Sequence, residues 1–150
     1  MGLLLSQEDG NICTLSINCP ERSNGFSLEL VYRLCGTLDA SEDNGDVSVV
    51  FRGVGEEAFS SGMDLQDVDR VKVSQGDNPI DYAMGSVLTY LRPVIAMIYG
   101  AGTGAGWDLA VASDLRIATD TAVMGINPVW IGKVYPLAGL QRFIKVVGLS

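Results

Sequence analysis

The sequence contains no histidine. That removes Ser-His-Asp and Cys-His catalysis and every His-ligated zinc site. Cysteine is scarce: Cys13, Cys19 and Cys35 are an odd number with no CxxC pair. They read as buried free thiols of a reducing compartment, and no metal site is expected. There is no run of 18 apolar residues, so no membrane-spanning helix is expected. Positive charge is also short, with 10 basic against 18 acidic residues and a net charge of -8. Non-specific nucleic-acid binding is therefore not expected.

What is present is a chain of 150 residues that is 47% hydrophobic and 19% charged. A chain of this size buries most of its apolar surface, so one core and a single domain over 1–150 are expected. The opening MGLLLS lacks the basic region and apolar stretch of a signal peptide. It fits the loose M-G-x-x-x-S myristoylation pattern, but Leu3 to Leu5 read better as the start of a strand. All the acids lie in residues 1–120; residues 121–150 carry only Lys133, Arg142 and Lys145. Such a trio reads as a solvated helix face before it reads as an anion site.

Alternation and β-branching predict a strand over 11–18, after a hairpin turn at 8–10. Ser27 is placed to cap a helix running to Leu38, followed by an acidic loop over 40–45. Residues 47–52 and 94–98 are short apolar runs, as in buried parallel strands. A glycine-bearing loop over 53–62 precedes a short helix near Asp64, and 73–78 read as a mobile loop. Further helices are predicted over 79–91, 107–113 and 139–147, with strands over 115–119 and 122–125. The alternation of strands and helices indicates an α/β architecture.

Two glycine turns carry the chemical signal. Gly100-Ala-Gly-Thr-Gly-Ala-Gly106 follows an apolar strand and opens a helix, where free N–H groups favour an anion. It is a poor dinucleotide fingerprint, since Ala105 stands at its last place and no acid ends a following strand. It is no P-loop either, because no Gly-Lys-Ser/Thr follows. The second turn is Ala58-Phe59-Ser60-Ser61-Gly62-Met63-Asp64-Leu65.

Together these phrases resemble the crotonase, or enoyl-CoA hydratase/isomerase, superfamily. Its members carry F-S-x-G-x-D-L and then P-V-I-A-x-x-x-G-x-x-x-G-x-G-x-x-L-x-x-x-x-D-x-x-x-A. The second phrase is met by Pro93, Val94, Ile95, Ala96, Gly100, Gly104, Gly106, Leu109, Asp114 and Ala118. Pro20 and Asn24 fit the family's opening, and Gly132 with Gln141-Arg142 its later part. The resemblance implies a ββα spiral core without the C-terminal helices that build trimers or hexamers, and the end of the chain reads as that of a fragment.

It further implies a cytoplasmic protein that takes an acyl-CoA or acyl-carrier-protein thioester as substrate and needs no separate cofactor. The N–H groups of Met63 and Ala105 would form the oxyanion hole. Arg22, Ser61, Asp64, Leu65, Gly104 and Asn127 would line the CoA and acyl path. Of the two glutamates that hydratases of the family use, the first falls at Asp108 and the second at Pro128. Asp at the first place is similar to the dienoyl-CoA isomerase branch. Residues 127–135 are similar to the methylmalonyl-CoA decarboxylase branch, which would give Tyr135 a chemical role. Isomerisation or decarboxylation is therefore expected ahead of hydration. A non-catalytic acyl-CoA binder or assembly subunit is the alternative, and an unrelated anion-binding module a third reading. Asp114 is expected to serve the fold, and Trp107 and Trp130 to be core or acyl-pocket walls.

Overall fold

The computed structural model describes residues 2–68 and 78–148. Two β-sheets organise them. In the larger sheet, β1 (Leu4–Asp9), β2 (Ile12–Ile17), β3 (Ser48–Gly53), β5 (Val94–Ile98) and β7 (Leu115–Ala118) lie in that order. Only β1 and β2 are antiparallel; the remaining pairs are parallel. The smaller sheet is parallel, in the order β4 (Ala58–Ser60), β6 (Ala101–Thr103), β8 (Val123–Gly125). The helices are α1 (Leu28–Asn44), α2 (Leu65–Val68), α3 (Pro79–Thr89), α4 (Ala105–Ala112) and α5 (Leu137–Val147). Short 3-10 turns occupy Pro20–Arg22 and Pro128–Ile131.

The core follows from strand periodicity. Leu15 and Ile17 of β2, Val49 and Phe51 of β3, and Val94, Ala96 and Ile98 of β5 point to one face. They join Leu30, Leu34 and Leu38 of α1, Met84 and Val87 of α3, and Leu109 of α4 in a single cluster. Burying each Leu, Ile or Phe in it is worth about 1.5–3 kcal/mol. The alternate residues of these strands stay half-buried, so the runs read as continuously apolar are one-sided.

Several expected boundaries move. The hairpin turn is Gly10-Asn11, not 8–10: β1 runs on to Asp9, which pairs with Ile12, and Gly10 takes φ 62. A two-residue loop with positive φ suits the strand twist. The acidic loop expected over 40–45 is the last part of α1. Ser41 continues the inner face and bonds Asp46 and Tyr90, while Asp39 and Asp43 face solvent. Gly45 at φ 80 then ends the helix by donating to Glu42 and Ser41 carbonyls.

The loops expected over 53–62 and 100–106 each contain a strand of the smaller sheet. Their Ala, Ser and Gly residues have little strand propensity, and close approach is what pairs them. A Cβ on Gly106 would lie 2.4 Å from the Ser60 carbonyl oxygen. For the same reason α4 begins at Ala105, two residues before the expected start. Apart from Asn78, the loop expected over 73–78 lies outside the described residues, as does the end of the chain at 149–150.

Apolar burial stops at the far edge. All four residues of β7 are exposed, and Val123, Val129, Val134 and Leu137 are exposed as well. Among the described residues no helix is long and apolar enough to cross a membrane.

Candidate active site

The neighbouring strands β4 and β6 are parallel, so the chain leaves both at the same end of the smaller sheet. Residues 61–64 follow β4 and residues 104–105 follow β6. Gly62 at φ 94 lets them touch: a Cβ there would lie 2.7 Å from the Thr103 carbonyl oxygen and 3.1 Å from the Ala105 nitrogen. Thr103 Oγ1 ties the turns by donating to the Ser61 carbonyl at 3.0 Å.

This contact sets two N–H groups side by side. Phe26 donates to the Gly62 carbonyl at 2.7 Å and accepts from the Asp64 N–H at 2.9 Å, in a parallel bridge. The N–H of Met63, between them, therefore points away from Phe26. Ala105 opens α4, so its N–H has no partner inside the helix, and the helix dipole is positive there.

Both groups border a cavity of about 840 Å³. Arg22, Ser61, Met63, Asp64, Leu65, Gly104, Ala105, Asp108, Asn127 and Tyr135 all line it. The structure thus gathers every expected site residue on one wall system. It does not give them equal freedom. Asp64 is buried, and its carboxylate accepts from Arg22 Nη1 at 2.5 Å and from the Gln66 N–H at 3.0 Å. That pair satisfies the Asp64 carboxylate within the protein, while the Arg22 side chain stays 40% exposed. Leu65 and Ser61 are exposed on the rim. Trp130 is no core residue: it is 84% exposed on the cavity wall. Trp107 packs edge-on against Phe143 at 5.8 Å. Asp114 serves the fold as expected, accepting from the Val94 N–H at 2.8 Å.

Asp108 lies on α4 below the turn and is 2% exposed. Its Oδ1 accepts from Arg142 Nε at 3.1 Å, and Arg142 Nη2 donates to Asp81 on α3 at 2.8 Å. Arg142 is therefore no part of a solvated face: its side chain is 12% exposed between two carboxylates. Burial pushes the Asp108 carboxyl above the usual range, and the Arg142 guanidinium opposes that push. Tyr135 donates its hydroxyl to the Gly104 carbonyl at 3.2 Å. Burial first, and the Asp108 charge second, raise its phenol well above the ordinary value, so it stays protonated. Burial alone would lower Arg142, but its bonds to Asp81 and Asp108 outweigh that.

Sequence reasoning missed Asp81 and the inward turn of Arg142. The available signal was spacing: Gly139 and Arg142 are three apart on one helix face, and Gly139 is the buried residue of α5.

The family model described as Enoyl-CoA hydratase/isomerase matches residues 7–150. The chain belongs to that family. It is 29% identical to the Delta(3,5)-Delta(2,4)-dienoyl-CoA isomerase of Arabidopsis thaliana, over 99% of this chain and 59% of that one. It is 25% identical to the short-chain-enoyl-CoA hydratase of Clostridium acetobutylicum, over 98% of this chain and 58% of that one. The crystal structure of an enoyl-CoA hydratase/carnithine racemase from Magnetospirillum magneticum superposes with a TM-score of 0.90 at 27% identity, covering 99% of this chain and 58% of that one. The crotonase-like α/β fold implied by the glycine phrases is thus the fold of the chain. The chain spans a little under three-fifths of the length of these relatives.

Proposed function

We propose that the chain binds an acyl-CoA thioester and stabilises its enolate, the N–H groups of Met63 and Ala105 receiving the thioester oxygen. The observation that carries this is their side-by-side placement above the cavity that holds Asp108 and Tyr135. Preorganised backbone donors of this kind are worth about 3–4 kcal/mol each to the developing charge. The cavity volume is within the usual range for a small-molecule site.

Isomerisation of a double bond is the reading the acid set favours. Asp108 takes a proton from carbon, the oxyanion site holds the enolate, and the same carboxyl returns the proton at another carbon. A raised carboxyl pKa makes Asp108 a stronger base for that step. Addition of water would need a second acid, and Pro128 at the matching place moves no proton. The dienoyl-CoA isomerase among the relatives is consistent with this order. Decarboxylation stays as a second reading because the Tyr135 hydroxyl, fully protonated, stands beside Asp108. It ranks lower, since a substrate carboxylate there would meet the Asp108 charge.

The test is incubation with saturated, 3-enoyl and malonyl-type acyl-CoAs in D2O, followed by mass spectrometry. Deuterium incorporation without added water is expected, reduced about 10²–10⁴-fold in Asp108→Asn. Loss of CO2 that depends on Tyr135 would move the assignment to decarboxylation. Thioester binding with no exchange and no mass change would make the chain a non-catalytic binder.

A further inference from the structure

The bridge from half-buried Asp81 through Arg142 to buried Asp108 joins α3, α5 and α4, and nothing in the enolate reading requires it. Arg142 meets the two acids with different nitrogens, Nε for Asp108 and Nη2 for Asp81. Only a planar, multiply donating cation spans two carboxylates in this way. Its bond to Asp108 uses Oδ1. The second oxygen, Oδ2, is turned to Gly139 and the Tyr135 ring: a Cβ on Gly139 would lie 2.9 Å from Oδ2 and 2.5 Å from Tyr135 Cε1. Gly139 thus lets α5 approach closely enough for Arg142 to reach, and leaves Oδ2 beside the tyrosine.

We infer that Arg142, bracketed by Asp81, is a positioning residue for Asp108, occupying Oδ1 and holding the buried carboxyl as an ion so that Oδ2 does the proton transfer. The inference rests on the enolate reading for its consequence, but the bridge stands on its own geometry. Two ions bracketing one of opposite sign leave a net negative charge, so the guanidinium cannot leave Asp108 without stranding a buried carboxylate. The ionisable groups facing Asp108 are Arg142 from α5, Asp81 from α3 and Tyr135 from the approach to α5. Arg22, Asp64 and Lys133 stand on the walls of the same cavity. The strands packed on α4, namely β4, β5 and β6, contribute no ionisable side chain. Burial raises the Asp108 carboxyl and Arg142 is the largest opposing influence.

The experiment is a carboxyl titration by NMR of the full chain labelled with 13C-aspartate, the Asp108 signal being identified by its loss in Asp108→Asn. In Arg142→Gln the Asp108 titration moves to higher pH by about 1–3 units. The acid limb of deuterium exchange moves with it, so turnover at neutral pH falls while the high-pH plateau is less affected. Arg142→Lys restores the charge but spans only one acid, so it returns much of the titration and less of the rate. A purely structural Arg142 would lower stability and leave the titration where it was. An unmoved Asp108 titration in folded Arg142→Gln, or an Arg142→Lys titration displaced as far as that of Arg142→Gln, overturns the inference. Failure of both to fold also overturns it, making the bridge a folding element instead. The titration uses no substrate, so a silent exchange assay defeats the enolate reading alone.

Discussion

Strands β2, β3 and β5 with α1 and α3, and the flank made of β7, β8, α5 and the segment leading into it, are both rich in large apolar residues. They use them in opposite ways. On the first, Leu15, Phe51, Leu34 and Met84 are fully enclosed. On the second, Leu115, Ile117, Val123 and Leu137 stand largely exposed and Val134 is 94% exposed. The difference teaches where the stability and the chemistry of this chain reside. The enclosed half supplies a rigid base from which β4 and β6 project their turns. The flank contributes to the cavity with few enclosed side chains, and the Arg142 bridge ties it to both α3 and α4.

Truncations make the largest test of that division. Phe51→Ala empties a volume enclosed by β2, β5 and the helices, and should cost about 3–5 kcal/mol. Val134→Ala removes atoms already in water and should change stability by less than about 0.5 kcal/mol. Chemical denaturation of both variants checks this. A large loss at Val134 would mean that the flank is packed in solution, and the contrast between the two regions would collapse.

The enclosed half was largely legible in the sequence, because the alternation of β2, the short apolar runs of β3 and β5 and a capped amphipathic helix leave strong local patterns, although the one-sided burial of β3 and β5 was not among them. Its end was not: Glu42, Asp43 and Asn44 look like a loop, and only the contacts of Ser41 with Asp46 and Tyr90 show why the helix continues. The site was legible through glycines, since Gly62, Gly104 and Gly106 mark places where backbone meets backbone. What joined those turns was not, because β4 and β6 are three residues each and pair through tertiary contact. Arg142 was misread for a related reason. Charge counting along the chain says how many cations a segment has, not which one its helix turns inward.

A pair of glycines sharpens the comparison at smaller magnitude. Gly36 is exposed in the middle of α1, and a Cβ there would meet nothing within 4 Å. Gly36→Ala should therefore stabilise the chain by about 0.5–1 kcal/mol, through helix propensity alone. Gly139→Ala gains the same propensity but drives a methyl against Tyr135 and Asp108. It should show no net gain in thermal stability and a clear loss of deuterium exchange. Equal stabilisation at both positions, with exchange intact, would mean that α5 does not need its close approach to the site.

The smallest effect concerns alkaline pH, and its sign follows from burial. Cys13, Cys35 and Tyr90 belong to the enclosed half, and desolvation raises the pKa of each above its ordinary value. The folded chain therefore holds protons that the unfolded chain has released. The stability this represents is complete below the unfolded values, about 8.5 for a thiol and 10 for a phenol. It is lost as pH rises through the higher folded values. Thermal midpoints should be flat up to about pH 8 and decline beyond it, by roughly 2–4 °C for each kcal/mol lost. Tyr135, on the cavity wall, is raised as well, so Tyr135→Phe separates the two regions. A decline that persists in Tyr135→Phe and weakens when Cys13 and Cys35 are replaced by alanine locates the alkaline sensitivity in the enclosed half. A decline abolished by Tyr135→Phe would place it at the site, and would make the cavity wall a larger contributor to stability than its exposed residues imply.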